Sequence, residues 1–311
     1  MNLRADEQSE PLNTYGATSP VRVFVAATPA EWLPMRVLEF SIRERTSLPV
    51  ELSAIYSHKR EIPQPKGMEN RARTPFSFQR FLIPELCQFN GRAIYMDADM
   101  QVFEDIEGLW NQPFSDNDLL TVASGGEGRR PQFSVMVLDC ERLNWRIEDI
   151  VSDLDSGKLE YRTLMFEMTV AQKIGYSVPV IWNSLEHFRE GETALLHYTD
   201  MNTQPWVSLE NKNGHVWMAC LRRAVASGFI SRDELVREIR QRHVRPTLLT
   251  QLDSGEDQAG KLSVVAVMRD LFFVAPYHAL GKKILGRLRT RTLYYLRLCR
   301  YIIAKFESKS Q

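Results

Sequence analysis

Cysteine is scarce in this chain: 311 residues hold four, Cys87, Cys140, Cys220 and Cys299, with no Cys-x-x-Cys pair. That spacing excludes a disulfide framework and a zinc ribbon, and it fits reduced thiols in a cytoplasm. Also missing is any uninterrupted apolar run of the roughly twenty residues a bilayer span requires. The opening MNLRADEQSEPLNTYGATSP has no apolar core of the signal-peptide kind, so residues 1–20 are expected to be a mobile polar N-terminus. No internal repeat is evident. Charge of one sign is lacking too, with 39 Lys and Arg against 39 Asp and Glu.

What is present reads as a soluble globular chain, 44% hydrophobic and 25% charged. The balanced charge is unevenly spread. From Tyr277 onward there are nine Lys or Arg and one acid, Glu307, so the body is mildly acidic and the tail strongly basic. Val21–Ala27 is a strand-type apolar run ending at Thr28-Pro29. Glu31–Arg43 follows with apolar residues near helical spacing, and Glu51–Tyr56 is a second strand candidate. Strand, helix, strand implies a βαβ start and a parallel sheet. Thr74-Pro75 looks like a helix N-cap with proline in the first turn, and Pro84 should limit that helix to two short pieces. Further strands are expected at Ala93–Met96, Leu119–Ala123, Ser134–Leu138, Ser177–Trp182 and Leu195–Thr199, with residues 141–175 mostly helical. Ser231-Arg232-Asp233-Glu234 has the capping-box pattern of a helix running to about Arg242.

The domain reading places a nucleotide-binding α/β unit at 21–252, a polar linker at 253–260, and a basic amphipathic helical tail at 261–311. The tail's mixture of Leu, Ile, Val, Phe and Tyr with arginines suits an anionic membrane interface. The plainer alternative is a helical pair packed on the body with a solvated basic face. Nucleic acid is a poorer fit, because the bases are confined to one tail and no nucleic-acid motif accompanies them.

The chemistry centres on Gly91–Trp110, GRAIYMDADMQVFEDIEGLW. The strand Ala93–Met96 should end at Asp97, putting Asp97-Ala98-Asp99 at its carboxyl end, where ligands bind in parallel α/β sheets. Two carboxylates spaced i, i+2 raise each other's pKa when buried, and a divalent cation between them relieves that cost. A solvated turn after a core strand is the other way to place such a motif.

Four stretches together resemble the retaining GT-A glycosyltransferases of family 8, the glycogenin and bacterial lipopolysaccharide galactosyltransferase type. They are Val23–Thr28 with Trp32 after it; Phe78–Leu86 followed by Ile94-Tyr95-Met96-Asp97-Ala98-Asp99; Val135–Asp139; and His197-Tyr198-Thr199-Asp200-Met201-Asn202-Thr203-Gln204-Pro205-Trp206, similar to the family's His-x-x-Gly-x-x-Lys-Pro-Trp. The likeness covers about residues 21–217. It implies a Rossmann-like GT-A domain with a mixed, mostly parallel sheet, a UDP-sugar donor, and a saccharide or glycolipid acceptor of the lipopolysaccharide or cell-surface type. Asp97, Asp99 and His197 would hold Mn²⁺ or Mg²⁺, which neutralises the departing diphosphate; oxygen ligands and a neutral imidazole suit that choice. Ala26, Ala27 and Thr28 would line the nucleotide pocket, Trp32 would stack on the base, and Arg80, Ala98, Gln132, Gln204 and Trp206 would contact the donor.

The departures from the family pattern bear on the donor pocket. Gln132-Phe133-Ser134 stands in place of Asn-Ser-Gly, and Glu167-Met168 in place of Asp-Gln. Gln204 replaces the diphosphate-contacting lysine, and Asp200 a glycine. Glu167 is the one residue nominated as a catalytic carboxylate, whether the route is a covalent intermediate or front-face attack. A non-catalytic nucleotide-sugar binder of the same fold is the first alternative. A HAD-type phosphatase, which also opens on strand–Asp-x-Asp, is the second. That superfamily needs its motif near the start of the domain and a later acidic pair.

Overall fold

The computed structural model describes residues 19–123, 133–276 and 284–307. The N-terminal segment expected to be mobile lies, up to residue 18, outside the described residues. Nine strands are present among the described residues: β1 Val21–Ala26, β2 Val50–Ala54, β3 Arg92–Asp97, β4 Met100–Val102, β5 Leu119–Val122, β6 Val135–Asp139, β7 Ile174–Val178, β8 Ser184–Leu185 and β9 Leu195–His197. Six of them form one sheet in the order β2-β1-β3-β6-β5-β7. Only β6 runs against its neighbours β3 and β5; the other pairings are parallel, so the sheet is mixed and mostly parallel, as the resemblance implies.

Both faces of this sheet are covered, and the register along β3 shows how. Ala93 and Tyr95 enter a cluster with Phe81, Trp145 and Leu164, while Ile94 and Met96 enter another with Leu38 and Ile42. A strand buried on two sides must be apolar at every position, and so β3 reads as an unbroken run ending at its first carboxylate. The helices that supply the cover are α1 Trp32–Arg43, α2 Ile83–Leu86, α3 Glu107–Trp110, α4 Ile147–Asp155 and α5 Tyr161–Glu167. On its far side α1 offers Leu33, Val37 and Phe40 to a third cluster built from α6 Gly214–Ala226, α7 Arg232–Arg240 and α8 Thr247–Ser254.

Pro84 does divide its helix, into a 3₁₀ turn over Gln79–Leu82 and the single turn of α2. Thr74 is not the N-cap expected there. Its hydroxyl is engaged with Ser77 Oγ at 2.7 Å, a local turn that satisfies both side chains before the helix begins. The strand expected at Ser177–Trp182 lies earlier, at Ile174–Val178, because Pro179 has no N–H to extend the ladder and Val180–Asn183 folds into a 3₁₀ turn instead. Gly175 belongs to this strand for steric reasons: a Cβ there would meet Leu120 Cδ2 at 2.7 Å and Asn117 Nδ2 at 2.8 Å. The capping box at Ser231 is present, with Ser231 N–H donating to Glu234 Oε2 at 2.8 Å.

A small second sheet, order β4-β9-β8, pairs β4 antiparallel with β9 and opposes Met100 to His197. C-terminal to it, the polar stretch 253–260 is pinned to the body by an Asp257–Arg222 ion pair and by Gln251 Nε2 donating to Asp257 O at 3.0 Å. A buried relay ties the next segment inward. Thr247 N and Oγ1 donate to the two carboxylate oxygens of Asp270, at 2.9 and 2.5 Å. Arg245 donates to Thr247 Oγ1 and, from Nε, to Pro205 O at 2.8 Å. After α9 Val264–Val267, the tail helix α10 Ile284–Glu307 lays Leu298 against Leu262, Ala266 and Val267. No helix among the described residues is long and apolar enough to cross a membrane.

Candidate metal centre and donor site

The carboxyl end of β3 and the two residues after it place both acids at the junction of the two sheets. Tyr95 O–H donates to Asp97 Oδ1 at 2.6 Å. The guanidinium of Arg80 lies over the Tyr95 ring at 4.6 Å, reaches to 4.0 Å from Asp97 Oδ1 and donates to Phe133 O at 2.9 Å. Glu85, an acid of the same helical stretch, pairs with Arg60 rather than with Arg80. Phe133 is fully buried and held at φ +45°, in the left-handed region that bulky residues avoid, so its carbonyl is turned toward Arg80 at a local cost.

Asp99 is fixed from the other side. Tyr198 N–H donates to Asp99 O at 2.8 Å, continuing the β4/β9 pairing that carries His197 across from Met100. His197 Nε2 stands 3.1 Å from Asp99 Oδ1, and its Nδ1 lies 3.0 Å from Asn183 Oδ1. Gln204 Nε2 donates to Asp99 Oδ2 at 2.9 Å and to Tyr198 O at 3.0 Å. Ligand atoms of Asp97, Asp99 and His197 all lie within 4.8 Å of one another.

This donor set fits a divalent cation. With the Nδ1 proton given to Asn183, the bare Nε2 lone pair faces Asp99 Oδ1, which is buried and has no hydrogen-bond partner among the described residues. Two acceptors 3.1 Å apart repel unless positive charge lies between them. Burial raises the Asp97 carboxyl, with Asp99 adding to the rise and Arg80 opposing it. At His197 burial works against the charged ring, but Asp99 and Asp97 outweigh it and hold the imidazole above its usual range. The same pull on a proton acts on a metal ion, and Asn183 is the partner that fixes the ring's tautomer.

Beside β1, the neighbour of β3 away from β6, a cavity of about 180 Å³ is lined by Thr28, Glu31, Arg73, Met201, Trp206 and His243. Glu31 Oε2 accepts from Thr28 N at 2.8 Å and Thr28 Oγ1 at 3.0 Å. Burial pushes the Glu31 carboxyl up to about 7, the Thr28 backbone N–H opposes the rise, and Asp99 and Asp97 add to it.

The nominated residues thus separate into groups. Asp97, Asp99, His197, Arg80 and Gln204 come together, and Thr28 and Trp206 line the adjoining cavity. Ala98 is buried between the two acids. Ala26 and Ala27 are buried, and Ala27 spends its N–H and carbonyl on the Gln79 side chain at 3.1 and 2.9 Å. Trp32 stands away from the cavity lining, between the guanidiniums of Arg36 and Arg237 at 6.0 and 5.0 Å. Glu167 is exposed at the end of α5, while Met168 is buried at φ +51°. Gln132 lies outside the described residues. Gln79, Tyr95, Asn183, Glu31 and His243 were not singled out from sequence as site residues; a polar or phenolic side chain inside an apolar run was the one available signal at Gln79 and Tyr95.

A family model described as glycosyl transferase family 8 matches residues 37–156. Protein CDI of Arabidopsis thaliana is 29% identical over 222 residues, covering 64% of this chain and 81% of that protein. Among solved structures, the apo-form glycosyltransferase GlyE of Streptococcus pneumoniae TIGR4 is similar with a TM-score of 0.47 and 16% identity, over 68% of this chain and 64% of that one. The galactosyltransferase LgtC, solved with donor and acceptor sugar analogs, is similar at the same TM-score with 12% identity, over 65% and 95%.

Proposed function

We propose that this chain, which carries a family 8 glycosyltransferase domain, moves a hexose from a UDP-sugar to a saccharide or glycolipid acceptor with the help of Mn²⁺ or Mg²⁺. The observation that carries the metal dependence is the convergence of Asp97, Asp99 and His197, with a buried Asp99 oxygen that has no hydrogen-bond partner among the described residues. A bound divalent ion would supply charge neutralisation at the diphosphate leaving group. The chain's own part is preorganisation. Gln204 and Tyr198 hold Asp99, Tyr95 and Arg80 hold Asp97, and Asn183 keeps the His197 lone pair directed at the cluster. Arg80, with its Nε unpartnered among the described residues, is a fixed cation for donor oxygens. Retention of the anomeric configuration belongs to this reading, and no nucleophile is assigned.

The test is donor hydrolysis and transfer with UDP-glucose, UDP-galactose and UDP-N-acetylglucosamine, with and without Mn²⁺, for the parent and Asp99→Ala. We expect metal-dependent turnover that Asp99→Ala lowers by at least about a hundredfold. Equal, metal-free activity in both proteins rejects the metal assignment. A second reading, binding without turnover, is favoured by one observation: of the residues standing for the family's Asp-Gln pair, Glu167 is exposed and Met168 is packed in the apolar cluster of Phe81 and Trp145. It would show UDP-dependent stabilisation and no product.

The location proposed is cytoplasmic, with α10 lying on an anionic inner membrane face. Leu293, Leu296, Ile303 and Phe306 are exposed on the side of α10 away from Leu298, among the basic residues of the tail.

A further inference from the structure

Helix α7 ends in a way that its length alone does not require. Arg242 follows the helix at φ +60°, a left-handed position usually given to glycine, and its N–H bonds Ile239 O at 2.9 Å. His243 N–H then returns to Glu238 O at 3.0 Å, completing a Schellman closure. The side chains repeat the pairing, with His243 Nδ1 at 2.7 Å from Glu238 Oε2. Glu238 is 3% exposed, a carboxylate withdrawn from water whose Oε2 meets the imidazole and whose Oε1 accepts from Arg237 Nε at 3.3 Å. Beyond His243, Val244 is buried and Arg245 N–H donates to Trp206 O at 2.8 Å, so the dyad is anchored to the loop that also carries Gln204.

His243 lines the cavity on the β1 flank of β3, and Nε2 is the ring nitrogen left for a ligand there. On the opposite flank stand β6, Phe133 and Arg80. A diphosphate at the Asp97–Asp99 cluster therefore has two directions in which to extend its substituents. The β1 side offers Pro75, Phe76, Met201 and Trp206 as apolar walls, which suit a flat ring better than a hydroxyl-covered sugar. Its volume of about 180 Å³ is close to the roughly 150 Å³ known to admit one six-membered ring.

We infer that His243 is a nucleoside-contacting residue of this cavity and that Glu238 positions it. This rests on the nucleotide-sugar reading above. In the tautomer whose Nδ1 proton is committed to Glu238, His243 accepts at Nε2 from a ribose hydroxyl or a base N–H.

Calorimetric titration with UDP plus Mn²⁺ and with inorganic pyrophosphate plus Mn²⁺ separates the nucleoside contribution from that of the metal site. The parent is expected to bind both. His243→Ala should weaken UDP about tenfold, the worth of one hydrogen bond, and leave pyrophosphate unchanged. Glu238→Gln, which still accepts the Nδ1 proton, should retain more UDP affinity than Glu238→Ala. If His243→Ala melts well below the parent, His243→Gln carries the comparison. Unchanged UDP binding in the variants overturns the inference and leaves the donor reading standing, as does an equal loss of UDP and pyrophosphate. A parent that binds neither ligand removes the donor reading and this inference with it.

Discussion

Replacing Glu31 with glutamine should flatten the dependence of stability on pH between about 4.5 and 7. In the folded protein, burial raises this carboxyl from 4.5 to about 7, with Asp99 and Asp97 assisting. Across that window the unfolded chain has released the proton and the folded chain still holds it. Folding then takes up a proton, and each rise of one pH unit costs about 1.4 kcal/mol. Stability contributed by the protonated form is complete below 4.5 and lost as pH climbs to about 7, a fall of about 3 kcal/mol at most. Glutamine keeps the shape and cannot ionise. Urea denaturation of both proteins at half-unit steps from pH 4 to 8 measures the difference. Curves that run parallel would refute the reasoning, since Glu31 would then be ionised and solvated in the folded state.

Asn183→Leu should leave the His197 Nδ1 proton without its acceptor and weaken Mn²⁺ binding by about tenfold or more, read from the free Mn²⁺ resonance signal. Unchanged affinity would mean that the ring is oriented by Asp99 alone. Phe133→Gly relieves a left-handed aromatic residue, worth about 1 kcal/mol, but empties a fully buried ring site, so a net loss of about 3 kcal/mol is expected in urea denaturation. A gain in stability would put strain ahead of packing. Arg297→Gln with Arg300→Gln should weaken binding to vesicles containing anionic lipid by about 2 kcal/mol, roughly thirtyfold, in a sedimentation assay. Equal binding by parent and double variant removes the electrostatic part of the membrane proposal.

The sheet was largely legible because its strands are buried on both faces and so announce themselves as apolar runs. Asp97 and Asp99 stood out for the complementary reason, as charges at the end of such a run. His197 was legible only through the Pro205-Trp206 context, since one histidine near a short strand says little. Asn183 was hidden. It sits in a 3₁₀ turn that a strand pattern covers, and its role depends on the β8/β9 pairing that brings residues 184–185 beside 196–197. The Glu238–His243 dyad was hidden differently: the capping box marked where α7 begins, but a left-handed arginine gives no glycine signal for where it closes. Thr74 misled because Ser77 competes locally for the same hydroxyl.

The relay from Asp270 through Thr247 and Arg245 to Pro205 bears on how the protein can be cut and recombined. A fragment ending before residue 270 would look like an intact catalytic unit by its sheet. It would nevertheless lack the acid that holds Thr247, and so the arginine bracing the loop of Gln204. Loss of activity on C-terminal truncation is therefore no measure of attachment to anything outside the molecule. Grafts between relatives should take the last exchangeable boundary beyond Asp270, with α10 as the separable part.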